Sequence, residues 1–367
     1  MTEIGINGET LNFAPKYTTS QEIRSDRQTA DLTLTGADIG GELKFELNYE
    51  TYDKFFEHAL FNSFSAPINI SGTDIEAVAD NGLGYSEFVS TSTDFSGISV
   101  DQWIKVEGFS NAANNGFFQV AAVSSDTITL FGIKLVDESA GNSITIKNDG
   151  TLQNGTTKKS FLIEKQYTDI NKFQHFKGVC VDSFSLDFAV EKIIEGKVKL
   201  LAMEASEMVD SSVAGSVIPA IVKDKMNAVS DLTNIEKDDT SITSDLMTLG
   251  IEVGNKLRGQ KGIGTLGFVG IGTGAVQVKG KIEAYLDSES VAAFYNAGLQ
   301  NKAFKLSFRV SDNDNNTYIF TIFRAKLDKL SNNADSGNKD LMINSSYEAI
   351  IGKTGSQKMI QIDRFNG

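Results

Sequence analysis

The chain has 367 residues, 40% hydrophobic and 22% charged, too apolar for a disordered protein and long enough for two or three domains. Forty-eight acids against 34 bases give a net charge of −14, the wrong sign for tight phosphate binding. One cysteine, Cys180, and two histidines, His58 and His175, exclude an internal disulfide and a Cys/His metal cluster.

Residues 1–10 are polar, without the basic start and apolar run of a signal peptide. Residues 262–278 are a long uncharged stretch, and six glycines break it, so no membrane span is expected. A soluble protein made in a cytoplasm follows. Along the chain, Leu32 with Leu34 and Leu43 with Phe45 and Leu47 alternate with polar residues, the period of a half-buried strand. Tyr52, Phe55, Phe56, Ala59 and Leu60 then form one apolar helical stripe. Strand alternation returns at Phe161, at Val179 and Val181, at Phe184 to Phe188, and at Val198 with Leu200. It appears again at Ile282 with Leu286, at Phe304 to Phe308 and at Ile319 to Phe323. Between these, Val291, Phe294, Tyr295, Gly298 and Leu299 predict a second helix.

The two helices belong to a repeat. Residues 41–60 and 280–299 align without a gap, matching Gly41 with Gly280, Leu47 with Leu286, Glu50 with Glu289, Phe55 with Phe294 and Leu60 with Leu299. Asn48 and Asp287 are expected as the helix N-caps. Downstream, Phe161 matches Phe304, residues 176–186 match 319–330 with a one-residue slip, and 197–203 match 341–348. Upstream, Ile23, Arg24 and Arg27 resemble Leu257, Arg258 and Lys261. The expected organisation is a first repeat at 1–71 with 151–212, an inserted domain at 72–150, and a second repeat at 213–367. Only residues 300–302 join helix to strand in the second copy, where 61–159 intervene in the first; that stretch holds 11 acids, 5 lysines and no arginine. Short strands and the turn signal Asn115-Gly116 make the insert a small β-barrel or sandwich, with the sole tryptophan, Trp103, as its core anchor.

Several motifs tempt and fail. Gly262, Gly264 and Gly267 spell a dinucleotide fingerprint, with Asp287 at the acidic position, but residues 268–274 cannot hold the helix that phosphate binding needs. Asp312, Asp314 and Asn316 imitate a calcium loop without its glycine or its glutamate, so a polar hairpin turn is expected. Neither histidine has a nucleophile in a recognisable elbow, and Cys180 lies within a strand as a small core residue. No catalytic residue, metal site or cofactor is expected, and the chain reads as a non-enzyme.

Residues 22–28 (EIRSDRQ), the strand at 41–47 and the helix at 52–60 resemble the start of the tail tube proteins of long-tailed, non-contractile (siphovirus-type) phages. Residues 103–109 and 114–120 are similar to a β-module of the same relatives. The resemblance implies a mainly β fold: two tandem β-sandwiches or rolled sheets, each with one short helix, plus the inserted module. It implies a structural virion protein, assembled in the host cytoplasm, whose stacked rings form a tube for DNA. Six tube domains per ring, met by two per chain, imply a trimeric ring of pseudo-sixfold symmetry with the insert outside. Implied partners are a tape measure protein, a tail terminator and distal tail proteins, with genome DNA passing ungripped and no membrane. Glu42, Glu46 and Glu283 are candidates for lining the lumen, and Arg24, Arg27, Arg258 and Lys261 for loops between subunits or rings. The alternative from another class is a tandem β-domain carbohydrate-binding adhesin.

Overall fold

The computed structural model describes residues 1–242, 246–285, 289–333, 341–355 and 357–367. Two compact units divide the chain: 1–61 with 155–228 and 247–283, and 62–154 with 229–246 and 284–367. The leading hairpin of the second repeat thus lies in the first unit, and the inserted segment shares its unit with the rest of the second repeat.

In the first unit the hydrogen-bonded order is Gly8–Glu9, Leu32–Glu46, Glu195–Leu201, Lys172–Ala189, Leu246–Gly254, Gln277–Tyr285. Asn12–Thr19 adds to Leu32–Glu46, and Phe161–Tyr167 to Lys172–Ala189. Period-2 patterning sends Leu43, Phe45, Val198, Leu200, Phe184, Leu186, Leu249 and Ile251 into the core. The helix Asp53–Ala59 closes that core, with Phe45 stacked on Tyr52 at 3.9 Å and Phe56 against Phe184 at 5.2 Å. Each such side chain contributes roughly 1.5–3 kcal/mol by burial. Gly196 pairs with Phe45 across the strands, and a Cβ there would stand 2.2 Å from the Phe45 ring. Asn48 is not the cap. Four residues turn the chain over the sheet after Asn48, with Glu50 at φ 65°, so Tyr52 precedes the helix and makes no side-chain cap bond. Asn48 is buried, its Oδ1 without a hydrogen-bond partner. Asp287 and Leu286 lie outside the described residues.

In the second unit, seven short strands of the insert form one sheet in the order Ile68–Gly72, Ile144–Asn148, Trp103–Glu107, Gly116–Val123, Thr127–Leu130, Glu87–Ser90, Ile75–Val78. Ile75, Phe88, Phe95, Ile104, Val106 and Ile146 fill its core. Asn115-Gly116 is not a two-residue turn: it ends a longer loop, and Val106 already pairs with Gly116. The second repeat builds a sheet in the order Met342–Ala349, Thr317–Asn333, Phe304–Ser311, Leu232–Lys237, Thr240–Ser241, beneath the helix Glu289–Leu299. The last strand, Gln361–Phe365, pairs with both Thr317–Asn333 and the insert's Thr151–Gln153.

Trp103 is buried, but not in the insert's own core. It packs with Ile319 and Phe365 and donates its indole N–H to Thr321 Oγ1 at 2.9 Å. Beside it, the fully buried Asp363 accepts from Asn148 Nδ2 at 3.0 Å, from the Thr151 hydroxyl and from Gln361 Nε2 at 2.7 Å. The tryptophan fastens the insert to the second repeat.

Both repeats follow strand, helix, hairpin, strand. Phe55 meets Phe161 at 5.1 Å, and its counterpart Phe294 meets Phe304 at 5.0 Å. Register bulges follow Phe161 and Phe304 alike. The register corrects the slip expected in the next strand. Phe161 pairs with Val179, eighteen residues on, whereas Phe304 pairs with Ala325, twenty-one residues on. The second hairpin is therefore three residues longer, and residue 182 corresponds to 328. Both are aspartates, and each is the extra residue of a bulge, between Val181 and Ser183 and between Leu327 and Lys329.

Candidate assembly surfaces

The outward face of the first sheet is rich in charge because its strands alternate core residues with polar ones, many of them ionised. Glu42, Lys44 and Glu46 stand on one strand, Glu195, Lys197 and Lys199 on the next, Asp187 on the third, Glu252 on the fourth, and Lys279, Lys281 and Glu283 on the last. Register sorts these charges into rows. Glu46, Glu195 and Asp187 are direct neighbours across three strands. Two residues along the strands, Lys44 faces Lys197; two further, Glu42 faces Lys199. Like charges directly opposite are unfavourable, and opposite charges one row away offset them. Lys279 reaches Glu252 at 3.4 Å, Lys281 reaches Asp187 at 3.6 Å, and Glu283 accepts from the Thr248 hydroxyl at 3.1 Å. The three glutamates expected at the lumen thus share one face, which is mixed in sign rather than acidic.

The four basic loop candidates do not occupy equivalent places. Arg24 and Arg27 lie in the loop after Asn12–Thr19, where Arg24 pairs with Asp26 at 2.8 Å and Arg27 has φ 59°. Arg258 instead opens a short strand, Arg258–Gln260, and reaches Thr273 O at 3.3 Å. Lys261 stands 3.4 Å from Asp38, whose carboxyl is held low, chiefly by its bond to Lys16.

His58 stacks on Phe161 at 3.6 Å with Nδ1 unpartnered, and burial pushes its pKa down to about 4. His175 lies within a strand and bonds Glu164 at 3.0 Å. Cys180 is buried, and burial pushes its thiol up. Residues 263–264 form a turn and 266–267 a bend. Asp312 Oδ1 accepts the backbone N–H groups of Asp314 and Asn316, so this carboxylate closes a hairpin turn. Among the described residues no three His, Cys, Asp or Glu side chains converge on a metal site. No described helix is long and apolar enough to cross a membrane. Sequence reasoning missed the acidic row and the paired bulge aspartates. The only signal for the latter is an aspartate after an apolar residue, Val181-Asp182 and Leu327-Asp328, in otherwise alternating strands.

A family model described as phage tail tube protein matches residues 2–349, through both repeats and the insert. The chain belongs to the phage tail tube protein family. No curated protein matches it significantly. As a member, the tail tube protein is a structural component of the virion tail that self-assembles into a tube. Its mainly β architecture, with two α-helices and many antiparallel strands among the described residues, agrees with that membership.

Proposed function

We propose that this tail tube protein polymerises into stacked rings of three chains with pseudo-sixfold symmetry, through which genome DNA passes without tight binding. The observation that carries the reading is the internal repeat: the same element order, the same bulge positions and the same phenylalanine pair occur twice. Three chains then supply six similar tube domains. The charged sheet face, with Glu42, Glu46 and Glu283, lines the lumen, and the loops bearing Arg24, Arg27, Arg258 and Lys261 meet neighbouring subunits or rings. The insert stands outside, since three such modules inside a ring would block DNA. Assembly takes place in the host cytoplasm around a tape measure protein, between a terminator and distal tail proteins, in a siphovirus-type tail. Electron cryomicroscopy of filaments from the purified chain tests this: threefold rings with six similar domains are expected. Rings of six whole chains, or a protein that forms neither rings nor filaments, would overturn it.

A further inference from the structure

We propose that the hairpin arm of the first repeat, Asn12–Thr19 with the start of Leu32–Glu46, docks on the helix-end corner of the second repeat in the next chain. This rests on the ring reading and names the surfaces that close the ring. The template is a seam inside the first unit. There the second repeat's leading strand, Leu246–Gly254, pairs along Lys172–Ala189, from Ser183 opposite Gly254 to Ala189 opposite Thr248. Where that strand ends, Asn255 Nδ2 donates to Ala59 O at 2.8 Å and to Val181 O at 3.1 Å. The Leu257 N–H donates to Asp182 Oδ1 at 2.8 Å, and Lys158 Nζ donates to Ile271 O at 2.6 Å. Leu60, at the helix end, is 1% exposed.

The matching corner of the second repeat is bare. Leu299, the counterpart of Leu60, is 66% exposed. Asp328, the counterpart of Asp182, is exposed and has no partner among the described residues. Along Thr317–Asn333, the edge beyond Leu327 that matches the paired edge at Ser183 carries no strand among the described residues. The matching arm is bare as well. Among the described residues Asn12–Thr19 pairs only with Leu32–Glu46, and Tyr17, Leu32 and Leu34 are 56%, 59% and 39% exposed. A two-stranded ribbon with apolar side chains in water is marginal by itself. One seam is satisfied within the chain; the second half-seam and its complement are each left open, so a second copy of this chain is the occupant. Gly8 pairs with Lys44 as Thr248 bonds Glu283, which sets Gly254 against Ala14 and Asn255 against Pro15. Pro15 therefore reaches the helix end near Leu299, and an N–H of the arm reaches Asp328.

The test uses the full chain, whose own Cys180 is only 2% exposed and stays silent. Pro15→Cys with Leu299→Cys, assembled and treated with a short bismaleimide, should give a covalent ladder ending at three chains. Leu299→Glu and Asp328→Arg, both at exposed positions, should keep the wild-type circular dichroism spectrum and melting point while raising the concentration needed for assembly at least tenfold. Rings that form normally but do not cross-link, together with Leu299→Glu assembling like wild type, would overturn the seam and leave the ring reading standing. Wild-type protein that forms no rings would overturn both.

Discussion

Replacing Thr321 by valine keeps the shape of a fully buried side chain but removes the acceptor of the Trp103 indole N–H, 2.9 Å away. The indole then sits beside Ile319 and Phe365 with a buried donor unpaired. Such an orphan costs about 1–3 kcal/mol, more than the net worth of the bond itself. In a unit of about 200 residues, a loss near 2 kcal/mol lowers the melting temperature by roughly 4–8 °C. Trp103 is the only tryptophan, so its emission reports this joint directly. Thr321→Val should melt earlier by fluorescence with a folded-state spectrum still blue-shifted. By circular dichroism, the same substitution in a Trp103→Phe background should cost far less, because no N–H remains to be stranded. An unchanged midpoint in the single variant, or equal losses in both backgrounds, would refute the view that this bond fastens the insert.

Gly196→Ala should destabilise the first unit by about 1–3 kcal/mol in urea melts, because the new methyl group meets the Phe45 ring. His58 is held neutral by burial, with Lys159 adding to the effect and its pKa near 4, so the unfolded chain binds the proton first. Stability of the first unit should therefore fall as pH drops from about 6.5 to 4, and His58→Phe should flatten that slope. Burial pushes Asp363 up to about 7 despite its hydrogen-bond donors. The folded state then keeps a proton that the unfolded chain releases, and tryptophan-monitored stability should decline between about pH 4 and 7, a slope that Asp363→Asn removes. Changing Glu42, Glu46 and Glu283 together to lysine should leave tube assembly intact and make DNA ejection slow and salt-dependent; normal ejection by such phage would take these residues out of the lumen.

Alternation made the sheets legible, since a half-buried strand must show Leu43, Phe45 and Leu47 on one side and charges on the other. The repeat was legible for the same reason: the helix stripe and the strand before it carry the core. What escaped was set by partners distant in sequence. Trp103 reads as an insert core residue until Thr321 and Phe365 are brought beside it. The three-residue junction of the second copy suggests that 72–150 can be bridged by a short linker, but such a bridge would strip cover from Ile319 and Phe365 and remove Asn148 from Asp363. The hairpin length hid the equivalence of Asp182 and Asp328, because polar turns accept extra residues without disturbing the apolar period. Asn48 looked like a cap because composition cannot tell how many residues a chain needs to climb from a sheet onto a helix.

The rows on the first sheet bear on friction. On three of its strands the sign of the charge changes between positions two residues apart, as in Glu42, Lys44 and Glu46, Glu195 and Lys197, and Lys281 and Glu283, so charges of unlike sign lie about 7 Å apart along them. That spacing is comparable to the Debye length at physiological salt, about 8 Å. Fields from adjacent rows cancel within a few ångströms of the surface, where a single-sign wall would project its potential much further. A polyanion gliding over such a face meets neither a well deep enough to hold it nor a barrier high enough to stop it. Strand register alone, without any change in composition, makes the face electrically smooth.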